Sequence, residues 1–245
     1  MTDATATPAE AATNTAPAGG QAPAVLTQDG HDVRFDWGEA GLAALGGACA
    51  VLVVVDVLSF STRVDLALAA GGAVRPVRWA DPLPDADEGG PEPLRSPNGA
   101  TLTVDAGTTG AHVLTACLRN ADGAATLAAE LAAGGPIGVL AAGERWGVQA
   151  GATAGSDGPL RPCLEDQLGA GAVVAGLQSY GGISPEAVVA AQAFAVADVP
   201  AAVRDSASGR ELTAHGYGAL LDRAVETGAS RCVPTRAAAA VLTGA

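Results

Sequence analysis

Ala50-Val51-Leu52-Val53-Val54-Val55-Asp56-Val57-Leu58-Ser59-Phe60-Ser61-Thr62 is the stretch on which the reading of this chain turns. Six apolar residues run without interruption before Asp56, and four of them are β-branched. Half-covered strands alternate polar and apolar residues; a run like this one belongs to a parallel strand covered on both faces. Asp56 ends it. Ser59, Ser61 and Thr62 then lead into a helix predicted over 63–70, closed by Gly71-Gly72. A short strand follows over 73–77, which completes a strand–helix–strand unit.

The same alternation continues outward. Upstream, 31–36 alternates as a strand and 42–45 reads as a short helical turn. Residues 1–27 are Thr, Ala and Pro with little else and are expected to be a disordered tail. Downstream, 81–95 reads as an acidic loop, Ser96-Pro97-Asn98-Gly99 as a turn, and 101–104 and 112–116 as strands. Helices are predicted over 120–133, 164–177, 185–197 and 217–227, with strands at 137–142 and 232–234. The expected fold class is α/β, with a mostly parallel central sheet and helices on both faces. The expected organisation is the tail, 1–27, followed by a single domain, 28–245.

Charge and composition remove several function classes. The net charge is −13, and all 13 basic residues are arginine. Such a field repels phosphate backbones and anionic bilayers, so neither nucleic acid nor membrane is an expected partner. No apolar run approaches the roughly 20 residues a membrane helix requires, and the N-terminus has no basic-then-apolar leader pattern. Cys49, Cys117, Cys163 and Cys232 are far apart and lack paired spacing, so free thiols in a cytoplasmic protein are expected. His31, His112 and His215 show no metal spacing, and no G-x-S-x-G, Walker or G-x-G-x-x-G motif is present.

Open α/β sheets bind ligands beyond the carboxyl ends of their strands. Asp56 and Glu144 fall there, each just past an apolar strand. A carboxylate in that position is costly unless it is paired or bound to a cation. Ser59, Ser61, Thr62 and Arg63 gather at a predicted helix start, where free N–H groups and the helix dipole favour an anion. Hydroxyls there also serve as simple caps. Glu165-Asp166 opens another helix, and Asn98-Gly99 is first of all a turn.

Taken together these segments resemble the 2-phosphosulfolactate phosphatase (ComB-like) family. Val53-Val54-Val55-Asp56-Val57-Leu58-Ser59-Phe60-Ser61-Thr62 is similar to its first motif. Ser96-Pro97-Asn98-Gly99-Ala100-Thr101 resembles its Asn-Gly turn, Leu118-Arg119-Asn120-Ala121 its Asn-Ala helix start, and Leu164-Glu165-Asp166 its Glu-Asp helix. Ser208-Gly209-Arg210-Glu211-Leu212 and Cys232-Val233-Pro234 fit its C-terminal region. The resemblance implies a ComB-like phosphatase fold and a Mg²⁺-dependent phosphatase. The family's named reaction converts 2-phospho-3-sulfolactate to 3-sulfolactate and phosphate, a step of coenzyme M biosynthesis. Ser59 stands where the family commonly carries arginine, and 81–94 lacks its Gly-Asn-Ser-Pro segment. Two alternatives therefore stay open: a phosphatase of another small phosphorylated hydroxy acid, and a non-catalytic relative that binds a small anion. A homo-oligomer also stays open.

With the resemblance in place, chemistry assigns expected roles. Asp56, Glu165 and Asp166 would hold Mg²⁺, directly or through water. Ser59, Ser61, Thr62 and Gly99 would cradle the phosphoryl oxygens, and Asn98 would orient the phosphate. Arg63, Arg145 or Arg161 would neutralise a second anionic group. Glu144 would activate water or protonate the leaving oxygen, and Asp56 is an alternative nucleophile.

Overall fold

The computed structural model describes residues 23–84, 90–150, 152, 158–236 and 241–244. Most of the expected tail, residues 1–22, lies outside the described residues, as does the centre of the acidic loop, 85–89. Residues 24–30 form turns, and Arg34 donates from Nη1 to the Thr27 carbonyl, so this stretch is tied to the first strand.

The elements follow in the order β1 (Val33–Trp37), α1 (Gly38–Leu45), β2 (Val51–Val55), α2 (Phe60–Ala69), β3 (Val74–Arg78), β4 (Glu92–Ser96), α3 (Gly99–Ala106), β5 (His112–Ala116), α4 (Ala121–Ala132) and β6 (Ile137–Ala141). Then come β7 (Glu144–Arg145), β8 (Leu160–Arg161), α5 (Leu164–Gly176), α6 (Pro185–Val196), α7 (Val199–Asp205), α8 (Ala207–Ala214), α9 (Gly218–Ala224), β9 (Pro234–Arg236) and β10 (Leu242–Gly244). Among the described residues, eight strands form one sheet in the order β1-β6-β2-β5-β9-β10-β3-β4, while β7 and β8 pair by themselves. The strands β1, β6, β2 and β5 are mutually parallel, as are β3 and β4. The antiparallel hairpin β9–β10 joins these two groups. The α/β class and the mostly parallel sheet agree with the sequence reading.

Every residue of β2 is buried. Val51, Val53 and Val55 pack with α4 and α5 on one face, and Leu52 and Val54 pack with α1 and α3 on the other. Helices thus cover both faces, and each fully buried valine or leucine contributes roughly 1.5–3 kcal/mol. A third cluster, Phe60, Val64, Leu68, Val74, Leu94 and Leu242, seats α2 against β3, β4 and β10. Small residues set the closest approaches. A Cβ at Gly171 would lie 2.2 Å from the Ala190 carbonyl, which lets α5 and α6 pack backbone to backbone. Among the described residues, no single helix is long and apolar enough to cross a membrane.

Several expected elements differ. The β-branched run at 101–104 is helix α3, not a strand. Thr103 satisfies its hydroxyl by donating to the Gly99 carbonyl one turn back, and Thr101 donates to the Ser96 carbonyl, so neither hydroxyl competes with the helix. The supposed loop at 81–95 ends in β4, an edge strand, which is where a strand containing Pro93 is tolerated. Helix α2 starts at Phe60, three residues before the expected point. The polar stretch after β6 contains the β7–β8 pair, and α7, α8 and β10 were not expected. The strand expected at 232–234 is β9, Pro234–Arg236, and β10 follows it.

Candidate active site

Asp56 follows directly on β2. Its Oδ1 accepts the Phe60 N–H (3.1 Å) and its Oδ2 accepts the Gly99 N–H (2.9 Å). One carboxylate therefore caps the starts of both α2 and α3, neither of which is capped by its own N-cap side chain. Two helix dipoles point their positive ends at this group, which favours its ionised form. Burial acts more strongly in the other direction. Together with the negative charge of Glu165 it pushes the Asp56 carboxyl up to about 6, against the hydrogen bonds from Phe60 and Gly99.

Asp166, in the first turn of α5, binds two loops at once. Its Oδ1 accepts the Val57 N–H (2.7 Å) and its Oδ2 accepts the Gly143 N–H (2.9 Å). These N–H groups adjoin Asp56 and Glu144, so Asp166 sets the distance between the loops after β2 and β6. Burial, then the charges of Asp56 and Glu165, hold the Asp166 carboxyl well above the usual range. Gly143 has φ +69°, and a Cβ there would meet Leu160 Cδ1 at 2.8 Å, so the turn into Glu144 needs glycine.

Glu144 Oε2 accepts from Asn98 Nδ2 at 2.9 Å. Burial, followed by the charges of Asp56 and Glu165, pushes its carboxyl up to about 8, with Arg161 pulling the other way. Glu144 is therefore largely protonated at neutral pH in the absence of a cation. Glu165 is 1% exposed, and among the described residues neither of its carboxylate oxygens has a hydrogen-bond partner; the Asn98 Oδ1 is likewise buried and without a partner among them. Four acidic side chains, Asp56, Glu144, Glu165 and Asp166, thus act on one another electrostatically in one small region.

Asp56, Ser59, Arg63, Asn98 and Glu144 line one cavity of about 510 Å³. Gly99 lies just behind its wall, packed on Asp56. Glu165 and Asp166 do not line it; they are buried at the start of α5. Other expected roles do not survive in the geometry. Ser61 Oγ accepts the Asp56 N–H, and Thr62 Oγ1 donates to the Val57 carbonyl. Both are buried, and the Phe60, Ser61 and Arg63 N–H groups are bonded within the turn, so this helix start offers no open phosphate cradle. Arg145 points away from the cavity and pairs with Glu39 at 2.6 Å. Arg161 bonds Ser208 and lies over the Trp146 ring, 5.6 Å from its centroid. Arg63 remains at the cavity, 3.8 Å from Glu92.

Sequence reasoning missed Trp79, Arg95, Ser208, Glu211 and Tyr217, which also line the cavity. Trp79 and Arg95 meet because β3 and β4 run in parallel register, with Arg78 beside Ser96; the Arg95 guanidinium lies 5.2 Å from the Trp79 centroid. The cysteines are unpaired. Burial and the neighbouring acidic charges push the Cys163 thiol far up, which removes it as a thiolate nucleophile.

No curated protein matches the chain. The model of one family, described as 2-phosphosulpholactate phosphatase, matches residues 93–238. That span holds Asn98, Glu144, Glu165 and Asp166 and begins after Asp56. With more than half of its length matched, the chain belongs to the 2-phosphosulpholactate phosphatase family.

Proposed function

We propose that the protein is a Mg²⁺-dependent phosphatase of phosphorylated 2-hydroxy acids, acting in the cytoplasm through residues 28–245 as one domain. The observation that carries this reading is the Asn98–Glu144 hydrogen bond beside Asp56 within one cavity. A proton donor, an amide and a capped carboxylate that face one cavity are what such a hydrolysis needs. The finer assignment of the ester, 2-phospho-3-sulfolactate, follows the family's description; coenzyme M synthesis as its place follows only from the resemblance noted in the sequence.

The donor set suits a hard divalent cation. Among the described residues, Glu165 brings two buried oxygens without hydrogen-bond partners and Asn98 a third, and the neighbouring Asp56, Glu144 and Asp166 add carboxylate oxygens. Among the described residues, no three His, Cys, Asp or Glu side chains converge on a single point, so Asp56, Glu165 and Asp166 would hold Mg²⁺ partly through water. Bound there, Mg²⁺ supplies charge neutralisation to the phosphoryl oxygens.

The chain's own residues do the rest. Asn98 orients the phosphoryl group, and Ser59 and Arg63 contact its outer oxygens. Water adds to phosphorus as the ester P–O bond breaks. Glu144 gives its proton to the departing alkoxide, and the proton lost by water leaves with the product phosphate or restores Glu144. Asp56, held by two N–H bonds, is placed to orient that water or to attack phosphorus itself.

Phosphate release by the full chain from 2-phospho-3-sulfolactate and 2-phospholactate, with Mg²⁺ and with EDTA, tests the proposal. Metal-dependent release from either ester is expected. Folded protein that releases phosphate from neither is a binding relative instead.

A further inference from the structure

The charged side chains of the cavity are sorted by flank. In the sheet, β2 stands between β6 and the β3–β4 pair, so Glu144, just past β6, and Arg95, on β4, reach the cavity from different sides of Asp56. Glu211 belongs to the Glu144 flank: its Oε1 accepts the N–H of Ala150, on the loop after β7, at 2.8 Å. Arg161 is on that flank too, directly across the β7–β8 ribbon from Glu144, and its charge acts on that carboxyl. Arg63 joins Arg95 on the other flank, 3.8 Å from Glu92 of β4.

Arg95 is held in a definite orientation. Its guanidinium lies over the Trp79 ring, 5.2 Å from the centroid, and its Nη1 donates to the Asp81 carbonyl at 3.3 Å. Stacking engages the face of the guanidinium and leaves its donor-bearing edge to hydrogen bonds. A guanidinium oriented in this way matches the two oxygens of a carboxylate. Its place in the chain fits as well. Arg95, Ser96, Pro97 and Asn98 line the cavity one after another, so the Cα atoms of Arg95 and Asn98 are no more than about 11 Å apart. A phosphoryl group at Asn98 therefore puts the acid's carboxylate, one carbon from the ester oxygen, within reach of Arg95. On the Glu144 flank the same carboxylate would meet the like charge of Glu211.

We infer that Arg95, oriented by Trp79, recognises the carboxylate of the substrate acid and so sets the preference for phosphorylated acids over plain phosphate esters. The inference rests on the phosphatase reading for its choice of ligand and names the specificity residue of the same site.

Two esters that differ in one group test it, each with the full chain and Mg²⁺: 2-phospholactate, and isopropyl phosphate, in which a methyl group replaces the carboxylate. The wild type is expected to favour 2-phospholactate in kcat/KM by at least about tenfold. Arg95→Met is expected to shrink that ratio about 10–100-fold, the worth of a hydrogen bond to a charged group. Arg95→Lys keeps the charge without the planar fork and is expected to lie between the two. Should Arg95→Met not fold, the wild-type ratio and Arg95→Lys decide. A wild type without preference, or a ratio left unchanged because both esters lose equally, overturns the inference and leaves the phosphatase reading standing. It is also overturned if Arg95→Met lowers only the advantage of 2-phospho-3-sulfolactate over 2-phospholactate, since Arg95 then reads the sulfonate. If neither ester is turned over, the phosphatase reading falls, and titration calorimetry with the same two esters decides. Tighter binding of 2-phospholactate that Arg95→Met abolishes upholds the inference, and equal binding of the two esters ends it.

Discussion

Gly99 donates its N–H to Asp56 Oδ2 at 2.9 Å, and a Cβ at position 99 would lie 2.5 Å from that same oxygen. It would also lie 2.7 Å from Phe60 Cδ1, the side chain that seats α2. Glycine is needed here for a close approach rather than for a special backbone angle. Gly99→Ala should push Asp56 off its hydrogen bonds, and a small misplacement of a reacting group costs about 10²-fold in rate. The expected outcome is a loss of that size in kcat/KM, with stability lower by about 1–3 kcal/mol from overpacking. Steady-state kinetics and urea unfolding of the one variant check both.

Glu144 links pH to both activity and stability. Its carboxyl ionises at about 8 in the folded protein against an ordinary value of 4.5. The unfolded chain gives up this proton first, so between those values the folded state binds more protons. The contribution is present below pH 4.5, and stability of the metal-free protein should fall as pH rises through that window to about 8. Asp56, pushed up to about 6, adds to the same trend at lower pH. Glu144→Gln should flatten the upper part of the melting-temperature profile. It should also remove an alkaline limb in kcat, because the group lost is the proton donor.

Asp166→Asn keeps the shape of the side chain and one good acceptor. It sets an amide NH₂ against the N–H of either Val57 or Gly143, which leaves a buried donor unsatisfied at a cost of about 1–3 kcal/mol. The loops carrying Asp56 and Glu144 would drift apart. A fall in kcat of roughly 10²-fold, together with a lower melting temperature, is the expected result. A variant with normal kcat would show that this tie does not set the geometry of the site.

Mg²⁺ should stabilise the wild-type protein by mass action, by about 2.7 kcal/mol at a hundredfold excess over its Kd. Glu165→Gln removes the carboxylate whose two oxygens lack hydrogen-bond partners among the described residues. The variant should melt higher than the wild type without metal, because a buried charge is gone, and should lose most of the Mg²⁺ response. Differential scanning calorimetry with Mg²⁺ and with EDTA reads both effects.

Away from the cavity, Arg119 bonds Asp65 at 2.7 Å and also bonds Glu226. Asp65 is fully buried, and its Oδ1 has no hydrogen-bond partner among the described residues. Arg119→Met would strand that carboxylate, and breaking a buried pair from one side costs about 3–5 kcal/mol. Chemical denaturation should show a loss of this size.

The parts legible in the sequence were those where a single physical cause dominates. Val51 to Val55 read as a central strand because burial on both faces leaves no room for alternation, and Ile137 to Ala141 read the same way. Asp56 and Glu144 stood out as charges at strand ends. Thr101 to Val104 misled, because their β-branched character is a local preference and the Asp56 carboxylate, 43 residues from Gly99, provides the cap that makes the segment helical. Ser61 and Thr62 looked available to a ligand, since nothing local says that their hydroxyls close the turn around Asp56. Trp79, Arg95 and Tyr217 carried no local signal at all; strand register and the placement of α8 and α9 bring them to the cavity.

The hairpin β9–β10 sits between β5 and β3, yet every other strand of the sheet precedes it in the chain. During synthesis the four strands β1, β6, β2 and β5 can assemble as soon as Ala141 is made, whereas β3 and β4, made earlier than β6, have no sheet neighbour beyond each other. Leu242, which pairs with Val74 and packs with Phe60 and Leu94, is the residue that docks them. The wall of the cavity built from Trp79, Leu94 and Arg95 is thus completed from the far end of the sequence. A nascent chain stopped before residue 234 would carry Asp56 and Glu144 with an open flank, and would be a target for chaperones rather than an early enzyme.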